Sequence, residues 1–279
     1  MKILHIGKYY PPFSGGIENF MGNLLPLLAE PPDGSINQIC ALVHNHVYSQ
    51  GVQEEIINNV RVVRVPSYGR LLYAPVSPAF AHYLRRELKR FKPDIIHIHM
   101  PNTSAFWLLL SSQAKEIPWI VHWHSDVVSA RLSRLFALAY QVYTPLEQAL
   151  LRKCQKIITT SPNYLYSSIS LINWREKADI IPLGLAEQQT LITHDDMQQA
   201  IHLWGKNKFR LLSIGRLTYY KGHQYLIQAM TTLPDCQLIV VGQGEENNEL
   251  LRQIKSLKLE NNVTLSGKVS NGLLQALLK

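Results

Sequence analysis

One local plan occurs twice in this chain: a short apolar run, a turn bearing glycine, and a stretch whose apolar residues recur at helical spacing. Near the N-terminus, Lys2-Ile-Leu-His-Ile-Gly7 leads through Tyr9-Tyr-Pro-Pro-Phe-Ser to Gly15-Gly16. Ile17, Phe20, Met21, Leu24, Leu25 and Leu28 then follow the 3.6-residue period. Far downstream, Phe209–Ile214 runs into Gly215-Arg216 and, five residues later, Lys221-Gly222. Short buried strands alternating with helices predict an α/β fold with a parallel sheet covered on both faces. Ligands of such sheets bind at the carboxyl ends of the strands.

The alternation runs along the whole chain. It predicts strands at 2–7, 38–44, 60–65, 95–99, 119–122, 156–160 and 179–182. Helices are expected at 17–29, 77–91, 103–114, 130–140, 146–153 and 162–171. The pattern pauses around Pro182-Leu-Gly184, and a polar helical segment follows at 194–204. A second βα series then begins, with strands at 208–214, 237–242 and 263–266 and helices at 222–230, 245–257 and 270–278. The expected domains are 1–185 and 186–279, each Rossmann-like, the second with three strands.

Two fixed cations at a strand's carboxyl end suit a diphosphate. Arg grips phosphate oxygens as a fork and Lys acts as a point charge. The alternative is a pair of solvated surface cations. Gly15 and Gly16 at a helix start would let a ligand approach free backbone N–H groups, though the spacing is not the three-glycine dinucleotide fingerprint. The simpler reading is a turn with an N-cap. Gly242-Gln-Gly244-Glu245 likewise follows an apolar run and opens a helix.

Taken in order, Gly15-Gly16-Ile17-Glu18, His122-Trp-His-Ser-Asp126, Ile181-Pro-Leu-Gly-Leu185, Gly215-Arg216 with Lys221-Gly222, and Gly242-Gln-Gly-Glu245 resemble the retaining "group 1" glycosyltransferases. That family uses nucleotide sugars and has the GT-B fold, two Rossmann-like domains facing across a cleft. The resemblance covers residues 2–278, and its style is similar to bacterial enzymes of lipopolysaccharide and O-antigen biosynthesis. It implies transfer of a hexose from a UDP- or GDP-linked donor to a glycan acceptor, usually lipid-linked, with no cofactor and no metal. Arg216 and Lys221 would stabilise the leaving diphosphate, and His124 would contact the transferred sugar. Gly15, Gly16, Gly215, Gly244 and Glu245 would line the donor site, and Lys268 with Val269 would cradle the base. Glu18 is read equally as an acceptor-side group or as a first-turn acid favoured by the helix dipole. Asp126 either orients its loop or binds acceptor. Relatives of this kind continue past the point matching Ser270–Leu278 with a further strand and a loop bearing two glutamates. The second domain is therefore expected to be incomplete, or completed by another polypeptide. A non-catalytic half-enzyme that binds nucleotide, partner or membrane is the alternative.

Composition narrows the setting. Net charge is +8, and the first 185 residues hold 18 Lys and Arg against 12 Asp and Glu. The clusters Arg85, Arg86, Lys89, Arg90, Lys92 and Arg131, Arg134 read either as solvated helix faces or as contacts with anionic lipid. Nucleic acid is disfavoured, since no recognition motif accompanies the charge. No apolar run spans a membrane, no signal-peptide pattern is present, and Cys40, Cys154 and Cys236 read as reduced. The expected location is the cytoplasm, peripheral at the membrane's inner face. One rival enzyme class remains: His97-Ile-His99 and His122-Trp-His124 place two histidines on one face of each strand, as a metal-dependent hydrolase would. No carboxylate-rich cluster accompanies them.

Overall fold

A computed structural model describes residues 1–48, 50–71, 74–127, 134–184, 191–206 and 209–279. The chain forms two compact units, Met1–Ala186 and Glu187–Lys279. The boundary expected at 185/186 lies outside the described residues.

The first unit contains β1 (Lys2–Ile6), α1 (Gly16–Ala29), β2 (Gln38–His44), β3 (Gln53–Ile57), β4 (Val60–Val65) and the short pair β5 (Arg70–Leu71) and β6 (Ala74–Pro75). It continues with α2 (Phe80–Phe91), β7 (Ile95–Met100), α3 (Ser112–Lys115), β8 (Trp119–Trp123), α4 (Arg134–Lys153), β9 (Lys156–Thr159), α5 (Pro162–Ser167) and β10 (Ala178–Ile180). Eight strands form one sheet in the order β10-β9-β8-β7-β1-β2-β4-β3. Every pairing is parallel except β3 with β4. Strand order reverses between β1 and β7, where ligands of open α/β sheets gather.

The two faces of this sheet differ in chemistry. Leu4, Ile6, Ile96, Ile98, Val121 and Trp123 point to one side and pack with Phe80, Leu84 and Leu150. On the other side Ile3, Ala41, Val43 and Val62 pack with Met21 and Leu25 of α1. Between β1 and β8 that second face changes from aliphatic to imidazole. His5 pairs in register with His97, and His99 with His122.

Several expected elements change. The helix expected at 103–114 is a 3-10 segment, Thr103–Leu110, followed by α3. The Asn102 side chain accepts from Ser104 N and the Ser111 hydroxyl from Ala114 N, so two polar caps break one helix into two short pieces. The helices expected at 130–140 and 146–153 are one, α4, with Pro145 inside it; residues 130–133 lie outside the described set. The helix expected at 162–171 ends at Ser167. There Ser168 turns its hydroxyl to Asp126 Oδ1 at 2.7 Å and accepts from Leu171 N. β3 was not expected. It joins β4 through Asn58-Asn59, both at positive φ (47° and 62°), the conformation of a tight hairpin.

β3 also alters the reading of the basic helix. Glu54 on β3 pairs with Arg61, Arg86 and Arg90, and buried Glu87 pairs with Arg61 and Arg86. Two of the five cations read as a solvated or a lipid-facing helix face, Arg86 and Arg90, are thus held by acids of the same unit. Arg131 and the Arg134 side chain lie outside the described residues. Among the described residues, no helix is long and apolar enough to cross a membrane.

The second unit holds α6 (His194–Trp204), β11 (Phe209–Ile214), α7 (His223–Ala229), β12 (Cys236–Val241), α8 (Asn247–Ser256), β13 (Val263–Gly267) and α9 (Asn271–Leu277). Its three strands are parallel in the order β11-β12-β13. α6 opens with a capping box between Thr193 and Asp196. Leu217, Ile227, Leu238, Val240 and Leu250 form a core on one face, and Ala200, Trp204, Ile239 and Leu273 form one on the other.

Candidate active site

In the first unit the loop after β1 is built on a buried arginine. Arg64, 2% exposed, donates to the carbonyls of Tyr10 and Pro11 and pairs with Glu55 at 2.6 Å. Tyr10 is buried beside it, and Tyr9 is buried with its hydroxyl accepting from Arg70 Nε at 3.2 Å. This anchor delivers the chain to Gly15 and Gly16 at the start of α1. The two glycines differ. A Cβ on Gly15 would stand 2.2 Å from Glu18 Oε2, whereas one on Gly16 would meet nothing within 4 Å. Gly16 is exposed and open to an incoming group; Gly15 is covered by the carboxylate of buried Glu18. That position suits the reading of Glu18 as a first-turn acid folded back on its own helix start.

Beside this loop lies a row of five imidazoles. His5 stacks on His97 at 4.7 Å between ring centroids, and His97 on His99 at 4.9 Å. His99 lies 5.7 Å from His122, which stacks on His124 at 4.4 Å. Phe20 of α1 closes over the row, edge-on to His122 at 4.6 Å and His124 at 5.2 Å. Burial pushes His97 and His124 down to about 3 and His122 to about 4, and takes His5 and His99 well below the ordinary value. The row is therefore neutral at neutral pH. Nitrogens of His97, His99 and His122 lie within 4.8 Å of one another. His97 and His99 are within 3° of parallel, and His99 and His122 within 18°. Lone pairs lie in the ring planes, so as arranged they run side by side; chelating an ion would require the rings to turn.

His124 lies just beyond β8, its backbone N–H donating to Met100 O at 3.1 Å. Asp126, two residues on, is engaged within the protein. Its Oδ1 accepts from Trp123 Nε1 at 2.8 Å, the Tyr164 hydroxyl at 3.0 Å and the Ser168 hydroxyl at 2.7 Å. These bonds fit the loop-orienting role.

In the second unit, three turns meet at the carboxyl edge of the sheet. Gly215 N donates to Val241 O, Leu217 N to Gln243 O, and Gly242 N to Gly267 O, at 2.9–3.1 Å. Gly242 and Gly244 serve this stitching. A Cβ on Gly242 would stand 1.8 Å from Gly215 O, and one on Gly244 would stand 2.2 Å from Leu217 O. Sequence reasoning gave both glycines to a ligand's approach; the close neighbour in the structure is the chain itself. Gly242 is also at φ 152°. Gly242→Ala is expected to cost roughly 3 kcal/mol, from backbone strain and a displaced carbonyl. Urea unfolding followed at Trp204, a buried tryptophan of this unit, measures it; an unchanged midpoint would reject the packing.

Exposed on that edge are Arg216, Lys221, Glu245 and Lys268. Arg216 faces Glu245 at 3.8 Å. The Lys221 stem passes 3.8 Å from where a Gly215 Cβ would be. His223 was missed by sequence reasoning. It is buried, and since a carbonyl only accepts, its Nε2–H donates to Arg216 O at 3.2 Å, fixing the backbone that carries the arginine. Its only sequence signal is its place directly after Lys221-Gly222. Val269 lines a shallow groove with Leu203, Ser266 and Leu273.

Both motif sets find counterparts among known proteins. The family described as "Glycosyl transferase 4-like domain" matches residues 38–184, and "Glycosyl transferases group 1" matches 195–279. An O-antigen chain mannosyltransferase C of Escherichia coli is 31% identical over 97% of this chain and 68% of its own length. The D-rhamnosyltransferase WbpZ of Pseudomonas aeruginosa is 30% identical over 67% of this chain and 46% of its own. Among solved structures, sucrose-phosphate synthase of Thermosynechococcus elongatus superposes with a TM-score of 0.74 at 20% identity, covering 99% of this chain and 72% of that one. Anabaena HepE, solved with UDP and glucose, gives 0.66 at 23% identity with the same coverage. These superpositions carry the fold, and the family matches carry the kinship: the chain belongs to the group 1 glycosyltransferases of the lipopolysaccharide and polysaccharide type, built on the GT-B fold.

Proposed function

We propose that this chain takes part in retaining transfer of a hexose from a nucleotide sugar to a lipid-linked glycan acceptor in surface polysaccharide synthesis. The observation that carries the reading is the exposed pair Arg216 and Lys221 on the carboxyl edge of a parallel sheet, within a family-matched segment. Nothing but solvent and Glu245 competes for the Arg216 head among the described contacts. Leaving diphosphate accumulates negative charge as the sugar departs, and fixed cations stabilise it without reorganising. In this reading His124 contacts the transferred sugar, and Gly16 leaves backbone accessible at the start of α1. The E. coli relative's name supports a hexose and an O-antigen setting, and the HepE complexes support a nucleotide sugar donor.

Calorimetric titration with UDP and GDP tests the donor site. One nucleotide is expected to bind, and Lys221→Ala to weaken it by about tenfold, as loss of one charge-assisted contact does. Binding that Lys221→Ala and Arg216→Ala leave intact would move the site elsewhere.

A further inference from the structure

Three imidazoles of the first unit are joined in series. His5 Nδ1 lies 3.1 Å from His99 Nε2, and His99 Nδ1 lies 3.1 Å from His124 Nε2. His5 and His99 are buried completely, while His124, at the open end, is partly exposed. Each link joins two ring nitrogens, so each holds one proton, with one ring donating and the next accepting. A neutral imidazole has one N–H. The three rings must therefore all carry the proton on the same type of nitrogen, either Nδ1 throughout or Nε2 throughout. Any mixture puts two protons, or two lone pairs, face to face at one link.

The closed end decides between the two arrangements. His5 Nε2 is buried and has no hydrogen-bond partner. With protons on Nε2, this end would be a buried donor without an acceptor; with protons on Nδ1, it is an acceptor left unfilled. Folded proteins tolerate the second more readily than the first. His97, stacked on His5, and Phe20, over the open end, contribute ring contacts here.

We propose that His5 and His99 are positioning residues that hold His124 in the tautomer with its proton on Nδ1. His124 then presents an N–H donor at its free nitrogen, suited to an oxygen of a sugar hydroxyl or ring. The proposal rests on His124 as the sugar contact for its use, but the tautomer itself does not depend on any substrate. It also gives His5, 119 residues distant in sequence, a reason to be histidine where the neighbouring face is aliphatic.

The test is nitrogen-15 NMR of the labelled chain at pH 8, read through two-bond nitrogen–proton correlations and couplings across the N–H···N links. His5, His99 and His124 are expected as Nδ1–H tautomers, with couplings at both links. His124 observed as Nε2–H, or as a mixture, overturns the proposal, whether or not the protein binds nucleotide. His99→Phe keeps a stacked ring but cuts the chain, and His124 is then expected to shift toward Nε2–H, the form free imidazole favours. A folded His99→Phe variant with His124 unchanged would show that the link does not set the tautomer. Should that variant fail to fold, the wild-type spectrum alone still decides.

Discussion

Acid is expected to unfold the first unit well before it affects the second. Five histidines of the row, together with His44, held to about 4 by burial, are neutral in the folded chain. In the unfolded chain each titrates near the ordinary 6.5. Below that value the unfolded state binds protons that the folded state refuses, so stability falls as pH drops. The window opens at about 6.5 and closes only as the folded groups titrate, at about 4 for His44 and His122 and about 3 for His97 and His124. Each group withholding a proton costs about 1.4 kcal/mol per pH unit, so the six in concert cost on the order of 8 kcal/mol per unit. A whole domain is stable by only about 5–15 kcal/mol.

The sign is not general to the unit. Buried Glu147 is raised by burial, so its contribution is present at low pH and lost as pH rises through its folded value. It opposes the histidines, but it is one group against six. Burial, not mutual repulsion, leads every shift in the row, and the charges that act on the row are those of its own members. Urea unfolding followed at Trp119 and Trp123, between pH 8 and 4.5, is expected to show a midpoint that collapses between 6.5 and 5. A flat profile would mean that water and protons reach the row in the folded state.

The fold was legible because its signals are local. Apolar runs alternating with helical periodicity located every parallel strand of both sheets. What sequence reasoning missed depends on contacts between distant residues. β3 is exposed and acidic, and is held by arginines of β4 and α2 rather than by its own apolar face; only Asn58-Asn59 announced its turn. Proximity of His5 to the two His-x-His pairs follows from the crossover that places β7 beside β1, which periodicity alone does not reveal. Gly242 and Gly244 were visible as glycines, but their purpose became visible only with the backbone of 215–217 against them. The exposed cations were the easiest to place. A solvated Arg in the turn after a half-exposed edge strand has few structural duties.

That lack of other duties makes Arg216 the sharpest test of chemistry. Arg216→Ala is expected to lower the rate of sugar transfer by about 10²–10³-fold while leaving stability unchanged. Its only charged neighbour among the described contacts is Glu245 at 3.8 Å, and both are about half exposed, a pair that contributes little to folding. The loss should fall on kcat more than on KM, because charge on the diphosphate grows as the glycosidic bond breaks. Arg216→Lys should recover only part of the rate: a point charge replaces a fork that can hold two phosphate oxygens. Glu245→Gln provides the contrast. It frees Arg216 from its one acidic neighbour without touching the fork, so transfer should persist and nucleotide affinity should hold or rise. Steady-state transfer measured with a nucleotide sugar donor decides it. If Arg216→Ala and Glu245→Gln lose the same fraction of rate, the arginine matters through its ion pair, and the diphosphate role assigned to it is wrong.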